Sequence, residues 1–361
     1  MPLNDSTPQH DRPLHCAVIL TALQLEAQAI IEFIGEQSTE YDAVGTAYTC
    51  GTLSAGDKYW KVAIAECGAG NQRAGHIATH AIHHFDPVVV FFIGVAGSLK
   101  SDIELGDVVA STKVYNYHSG KAEKDFQPRP AIENTSFRLE QLARGVARTR
   151  SWLQRIQRQH PDRPGDPIAR VGPIAAGEQV DADERSHTHK LIKQFYSDAL
   201  AVEMEGYGTL AATNVLKMDA IIIRGISDNV VDKAQCDGKS WQPLAAHYAS
   251  AFAVELLAHY QATRAPRCKV EFIGLQKDVG TEITKLLADM HGHAIGNGVF
   301  RIALDYIYHS EHSRIANHSV KNTISSATLR NLRQKEPLSP GSGSLPIPRR
   351  SANADSKNLF I

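Results

Sequence analysis

Short β-branched runs alternate along the chain with stretches of helical period. Residues 16–20, 87–95, 168–176 and 220–223 are apolar runs of strand length, and 87–95 is the most apolar of all. Such runs predict strands buried on both faces, as in a parallel sheet. Residues 48–51 and 58–66 alternate well enough to predict a hairpin around Ala55, Gly56 and Asp57. Helical spacing covers 23–34, with Leu23, Ala27, Ile30, Ile31 and Ile34 on one face. It covers 207–216, where Leu210, Ala211, Val215 and Leu216 share a face. It recurs over 136–159, 190–196 and 240–260, the last with Leu244, Ala245, Tyr248, Phe252, Leu256 and Leu257 as its apolar positions. Residues 113–130 are too polar and broken for core and read as a loop. Strand, helix, strand around 200–228 predicts an α/β fold whose ligand sits at the carboxyl ends of the strands.

Composition narrows this picture. A chain of 361 residues accommodates one large domain plus a small one, or two medium ones, and 43% hydrophobic residues provide for a sizeable core. A formal net charge of -1 gives no global field toward nucleic acid or an anionic membrane. The five cysteines (Cys16, Cys50, Cys67, Cys236, Cys268) are odd in number and form no CxxC pair. They suggest neither a disulfide framework nor a zinc ribbon, and they fit a reducing cytoplasm. Residues 1–14 read as a flexible leader without the apolar core of a signal peptide, and no apolar stretch is long enough to span a membrane. Residues 15–262 read as the main domain. Residues 268–335 form a small α-rich extension of unassigned role, and 336–361 form a Pro/Gly/Ser-rich tail expected to be disordered.

Candidate chemistry sits where apolar runs end. Glu203 and Glu205 follow one run and Asp228 another. The turn from Glu66 to Gly75 contains Gly68, Gly70 and Gly75. Its third glycine is displaced from a dinucleotide fingerprint, and no Lys-Ser/Thr follows as in a P-loop. Arg73 there is either a phosphate ligand or a solvated helix arginine. His76, His80 and His84 share a helical face, but no acidic third ligand or HExxH pattern accompanies them, so no metal is expected. Gly94-Val-Ala-Gly97-Ser98, followed by Leu105-Gly-Asp-Val-Val109, places small residues where a ligand can approach the backbone closely.

Ala201-Val-Glu-Met-Glu205 and Arg224-Gly-Ile-Ser-Asp228, in this order and separation and with the Gly-Val-Ala-Gly turn, resemble the nucleoside phosphorylase and nucleosidase superfamily. The likeness is greatest to methylthioadenosine/S-adenosylhomocysteine nucleosidases and covers about residues 15–260. It implies a three-layer α/β/α fold with a central mixed sheet. It implies that Asp228 protonates the purine at N7, kept protonated by burial and oriented by Ser227. Glu205 would bind the ribose hydroxyls and favour the cationic transition state. Glu26 would activate water, although Gln24 and Leu25 replace acidic neighbours common there; its plainer role is a helix-dipole carboxylate. Met204 would pack under the sugar, and Glu203 would either support the site or pair with Arg224. Gly70, Ala96 and Gly97 would lie beside purine and sugar. Val180 falls where an aromatic ring often stacks on the base.

The chain lacks the arginine that phosphorylases carry near 94–98, and Val95 replaces a small polar residue; both departures favour hydrolysis. Lys113, Lys121, Lys124 and Arg129, with Tyr115, Tyr117 and Phe126, make either a solvated loop or a lid over a 5′-phosphate. The second resembles longer nucleosidases of bacterial antiphage defence, which cleave adenine nucleotides. The expectation is hydrolysis of ATP or a related nucleotide to adenine and ribose phosphate, ahead of methylthioadenosine-type substrates. A salvage phosphorylase, or a silent nucleotide sensor signalling through 268–335, stands as the rival. No cofactor, nucleic acid or membrane is implied. A cytoplasmic homo-oligomer is, with 268–335 available to a regulatory partner.

Overall fold

The computed structural model describes residues 14–121, 127–159, 163, 165–179, 186–229, 241–262, 269–270 and 359–360. In chain order the elements begin with β1 (His15–Thr21), α1 (Gln24–Ile31), β2 (Ile34–Tyr41), β3 (Ala47–Ala55), β4 (Lys58–Glu66), α2 (Asn71–Phe85) and β5 (Val89–Ser98). Then follow β6 (Val108–Asn116), β7 (Gly120–Lys121), β8 (Gln127–Pro128), β9 (Ala131–Asn134), α3 (Phe137–Thr149), a 3-10 turn (Ser151–Arg155) and β10 (Ala169–Ala176). The domain ends with α4 (His187–Phe195), β11 (Ala201–Glu203), α5 (Gly206–Val215), β12 (Ala220–Asn229) and α6 (Trp241–His259). In a second unit, β13 (Lys269–Val270) pairs antiparallel with β14 (Leu359–Phe360).

The apolar runs become the centre of one mixed sheet of order β11-β10-β6-β12-β5-β1-β4-β3-β2, with β9 added on β6. β11 also pairs antiparallel with β5, Ala201 opposite Ser98 and Val202 opposite Gly97, so that end of the sheet closes on itself. Successive strand residues face opposite layers. Phe91, Ile93, Ile221 and Ile223 pack with α1, α3 and α6 on one side. Phe92, Val90, Ile222 and Ala220 pack with α2 and α5 on the other. The result is the expected three-layer α/β/α arrangement around a mixed sheet.

Two details of β12 matter for function. At Gly225 a Cβ would strike the Ala245 carbonyl oxygen, so glycine lets α6 lie directly on the strand. The register against β5 slips between Ile226 and Asp228. A bulge re-aims side chains, and here both Ser227 and Asp228 face the same cavity.

Some sequence expectations change. The helix read over 23–34 stops at Ile31, and Ile34 opens β2. Only Ile34 of β2 is buried, so that edge strand has no apolar alternation to betray it. The helix read over 136–159 breaks at Arg150, which adopts φ 57° and caps α3. The turn that follows drops Trp152 into the core, edge-on to Phe252. Residues 113–116 belong to β6, and Tyr115 and Tyr117 are buried rather than looped out; their aromatic bodies fill core while their hydroxyls reach polar partners. α6 is buried on nearly all sides instead of one, because α1, α3, the 3-10 turn and the sheet surround it. Val215, expected on the buried face of α5, is 81% exposed.

Candidate active site

A cavity of about 220 Å³ opens at the carboxyl ends of β1, β5, β11 and β12. The β1–α1 turn contributes Ala22 and Leu23, α1 contributes Glu26, and the glycine turn before α2 contributes Ala69. Val95, Ala96 and Gly97 come from β5, and Gln179 follows β10. Val202, Glu203, Met204 and Glu205 come from β11 and its turn, Ser227 and Asp228 from β12, and Gln242 from α6. Among the described residues the lining carries four carboxylates and neither Lys nor Arg.

Each carboxylate is held differently. Glu26 lies in the first turn of α1; its Oε2 accepts the Ala22 and Leu23 N–H groups at 2.7 and 2.9 Å. Its Oε1 accepts the Val95 N–H at 2.7 Å, tying α1 to β5. Burial raises the Glu26 pKa, against the pull of Arg224 and these amides. Glu203 ends β11 and accepts the N–H groups of Glu205 at 3.0 Å and Gly206 at 2.8 Å. Glu205 is the N-cap residue of α5; its Oε1 accepts the Gly70 N–H at 3.0 Å. Burial pushes its carboxyl up to about 7, with Arg224 opposing and Glu203 adding. Asp228 accepts a hydrogen bond on Oδ2 from Ser227 Oγ at 3.0 Å.

Arg224 joins three of them. It is wholly buried on β12, its guanidinium over the Phe92 ring at 4.4 Å. Nη2 meets Glu205 Oε2 at 3.0 Å and also the Glu203 carboxylate, and Nη1 stands 3.9 Å from Glu26 Oε1. A buried charge of either sign is costly unless paired; one cation against three acids leaves the pocket acidic. Gly94 makes room for this, since a Cβ there would strike both Arg224 and Glu26.

The structure therefore brings Glu26, Ala96, Gly97, Glu203, Met204, Glu205, Ser227 and Asp228 to one cavity, and Gly70 reaches it through its N–H. Glu203 accepts the N–H groups of the turn into α5 and pairs with Arg224. Val180 lies outside the described residues; Gln179, which precedes it in sequence, lines the cavity. Lys113, Lys121 and Arg129 do not line the cavity. The Lys113 ammonium pairs with Asp198 at 3.3 Å and lies over the Tyr115 ring, while Lys121 and Arg129 are exposed. Lys113 lies on β6, opposite Asn134 of β9, and its ammonium is held by Asp198 in the turn between α4 and β11. Lys124 and Phe126 lie outside the described residues. Arg73 is exposed, its guanidinium against Gly68. No metal-binding group of side chains occurs among the described residues. The thiols of Cys16, Cys50 and Cys67 are each pushed by burial up to about 12 and offer no nucleophile near neutral pH. Sequence reading missed the walls Ala22, Leu23 and Gln242, which carry no chemical signature. Arg224 did carry one, as a lone cation inside the apolar run 220–226.

The chain is also similar in sequence and fold to known proteins. A family model described as the phosphorylase superfamily matches residues 17–258. The chain is 27% identical over 217 residues to a 5′-methylthioadenosine/S-adenosylhomocysteine nucleosidase of Maridesulfovibrio salexigens, covering 59% of this chain and 85% of that one. It is 28% identical over 228 residues to an ATP nucleosidase of Escherichia coli, covering 58% of this chain and 45% of that one. It is similar in fold to a solved 5′-methylthioadenosine/S-adenosylhomocysteine nucleosidase of Helicobacter pylori, with TM-score 0.56, 22% identity, and coverage of 68% and 99%.

Proposed function

The chain belongs to the phosphorylase superfamily, and from that we propose that it hydrolyses the N-glycosidic bond of an adenine nucleoside, releasing adenine. One observation carries this reading: Glu26, Glu205 and Asp228 face a single cavity from three different strand ends. Asp228 protonates the purine as the bond to C1′ stretches, making adenine a better leaving group. Positive charge then builds on the ribose, and the ionised Glu205 stabilises it while accepting the ribose hydroxyls. Glu26 takes the proton of a water that adds to C1′, so the products are adenine and the free sugar. Water fits as nucleophile better than phosphate. Arg224 is committed to three carboxylates, and a phosphate anion would face an acidic wall without a described cation to hold it.

Leu23, Gln242 and Met204 with an acidic lining favour a neutral 5′ group, as in methylthioadenosine. The adenine-nucleotide reading, with its role in antiphage defence, is supported by the likeness to the Escherichia coli ATP nucleosidase. It requires cations beyond the described lining. Both readings take residues 15–262 as the catalytic domain of a cytoplasmic homo-oligomer, with 268–335 left for a regulatory partner. No helix among the described residues is long and apolar enough to cross a membrane.

The test is incubation without phosphate of methylthioadenosine, adenosine, AMP and ATP in parallel, with chromatography of free adenine. Adenine from methylthioadenosine or adenosine supports the neutral-substrate reading. Adenine from ATP alone transfers the proposal to nucleotides. Release only on adding phosphate overturns hydrolysis.

A further inference from the structure

Asn71 has no part in the mechanism above, yet it is 95% buried at the start of α2 and touches two walls of the site. Its Nδ2 donates to the Gly177 carbonyl at 3.1 Å, and its Oδ1 accepts the Gly208 N–H at 3.0 Å. Gly177 follows β10, two residues before the cavity wall at Gln179, and its own N–H donates to the Glu203 carbonyl at 3.1 Å. Gly208 lies in the first turn of α5; a Cβ there would strike the Asn71 carbonyl oxygen, so the two backbones are in contact.

The first N–H groups of a helix lack partners inside it, and the side chain of the N-cap residue usually accepts one from the second or third helical residue. In α5 the N-cap residue is Glu205, and it makes no such bond. Two other residues serve instead. Glu203 accepts the N–H of Gly206, the first helical residue, and Asn71 accepts that of Gly208, the third. With its helix capped from outside, the Glu205 carboxylate turns the other way, to Gly70 and Arg224 at the cavity.

We infer that Asn71 is a positioning residue: it caps α5 in place of Glu205 and so keeps the Glu205 carboxylate on the substrate. The inference deepens the proposed function, because it assigns what holds the ribose-binding acid. Without Asn71, the Gly208 N–H competes for the nearest acceptor, and that is Glu205 in the ordinary capping geometry.

The experiment compares the wild type with Asn71→Leu, Asn71→Ala and Asn71→Asp. It measures kcat/KM for adenosine against 2′-deoxy- and 3′-deoxyadenosine, melting temperature, and a crystal structure of one folded variant. Asn71→Leu keeps the branched outline without the polar atoms, Asn71→Ala covers a failure of the first to fold, and Asn71→Asp keeps the acceptor for Gly208. The preference for ribose over deoxyribose should shrink about threefold to tenfold in the Leu and Ala variants, the range one hydrogen bond commands, and recover in the Asp variant. The Glu205 carboxylate should be seen on the Gly208 N–H. An unchanged preference in a folded Leu or Ala variant, whatever its melting temperature, overturns the inference. If the wild type releases adenine from nothing, the hydrolase reading falls. The Glu205 orientation in the variant structure then decides the role of Asn71 by itself: turned to Gly208 supports it, unmoved refutes it.

Discussion

Arg224 Nη2 stands 3.0 Å from Glu205 Oε2 with both side chains buried, and the same nitrogen holds Glu203. Removing the guanidinium leaves three acids without their cation. Breaking a buried ion pair from one side costs about 3–5 kcal/mol. Arg224→Met should therefore lower unfolding stability by that order in chemical denaturation. Arg224→Lys should recover little of it, since a single ammonium cannot present the fork that reaches Glu205, Glu203 and Glu26 together. A Lys variant as stable as the wild type would mean that charge alone, not geometry, holds the site.

Ser227 and Asp228 sit on a β-bulge and share a 3.0 Å hydrogen bond. If Asp228 supplies the proton to the purine, Asp228→Asn should lower adenine release about 100- to 10,000-fold, the range of general acid catalysis, with the far-UV spectrum unchanged. Ser227→Ala removes only the orienting bond and should cost about threefold to tenfold. Equal losses in the two variants would make the bond, rather than the proton, the important element.

Gly94 lies under the Glu26–Arg224 pair, where a Cβ would collide with both. Neither neighbour is a flexible end free to swing into solvent, since both side chains are buried. Gly94→Ala should displace Glu26 from the Val95 amide and reduce turnover far more than it weakens nucleoside binding. Kinetics in which KM rises and kcat stays fixed would place the damage in the binding walls instead.

Much of this was legible before the structure. The β-branched runs of β5 and β12 stand out because a central strand buried on both faces has no polar alternation. Asp228 and Glu205 stand out because acids rarely follow such runs without cause. β2 was hidden, since an edge strand with one buried residue looks like loop. Tyr115 and Tyr117 were misplaced because Asn116, His118 and Ser119 beside them are polar, and local polarity says nothing of a cross-strand partner. Lys113 was read toward a ligand, but its ammonium pairs with Asp198 in the turn before β11, some eighty residues on in the chain. Asn71 gave no signal at all. Its contacts are to Gly177 and Gly208, more than a hundred residues away in the chain.

Glu205 also fixes a pH dependence. Its carboxyl, ordinarily at 4.5, is pushed by burial up to about 7 in the fold. Between those values the folded protein keeps a proton that the unfolded chain has released. The stability from this group is therefore fully present below pH 4.5 and is lost as pH rises through about 7. Glu205→Gln removes the titration, so the variant should lose less stability than the wild type between those limits in denaturation at a series of pH values. Activity should run the opposite way. The ribose hydroxyls need the ionised acceptor, so wild-type kcat/KM should climb with pH through about 7. In Glu205→Gln that limb should disappear from a lower baseline. A rising limb that survives in the variant would assign the ionisation elsewhere, with Glu26 next to examine because burial raises its pKa too.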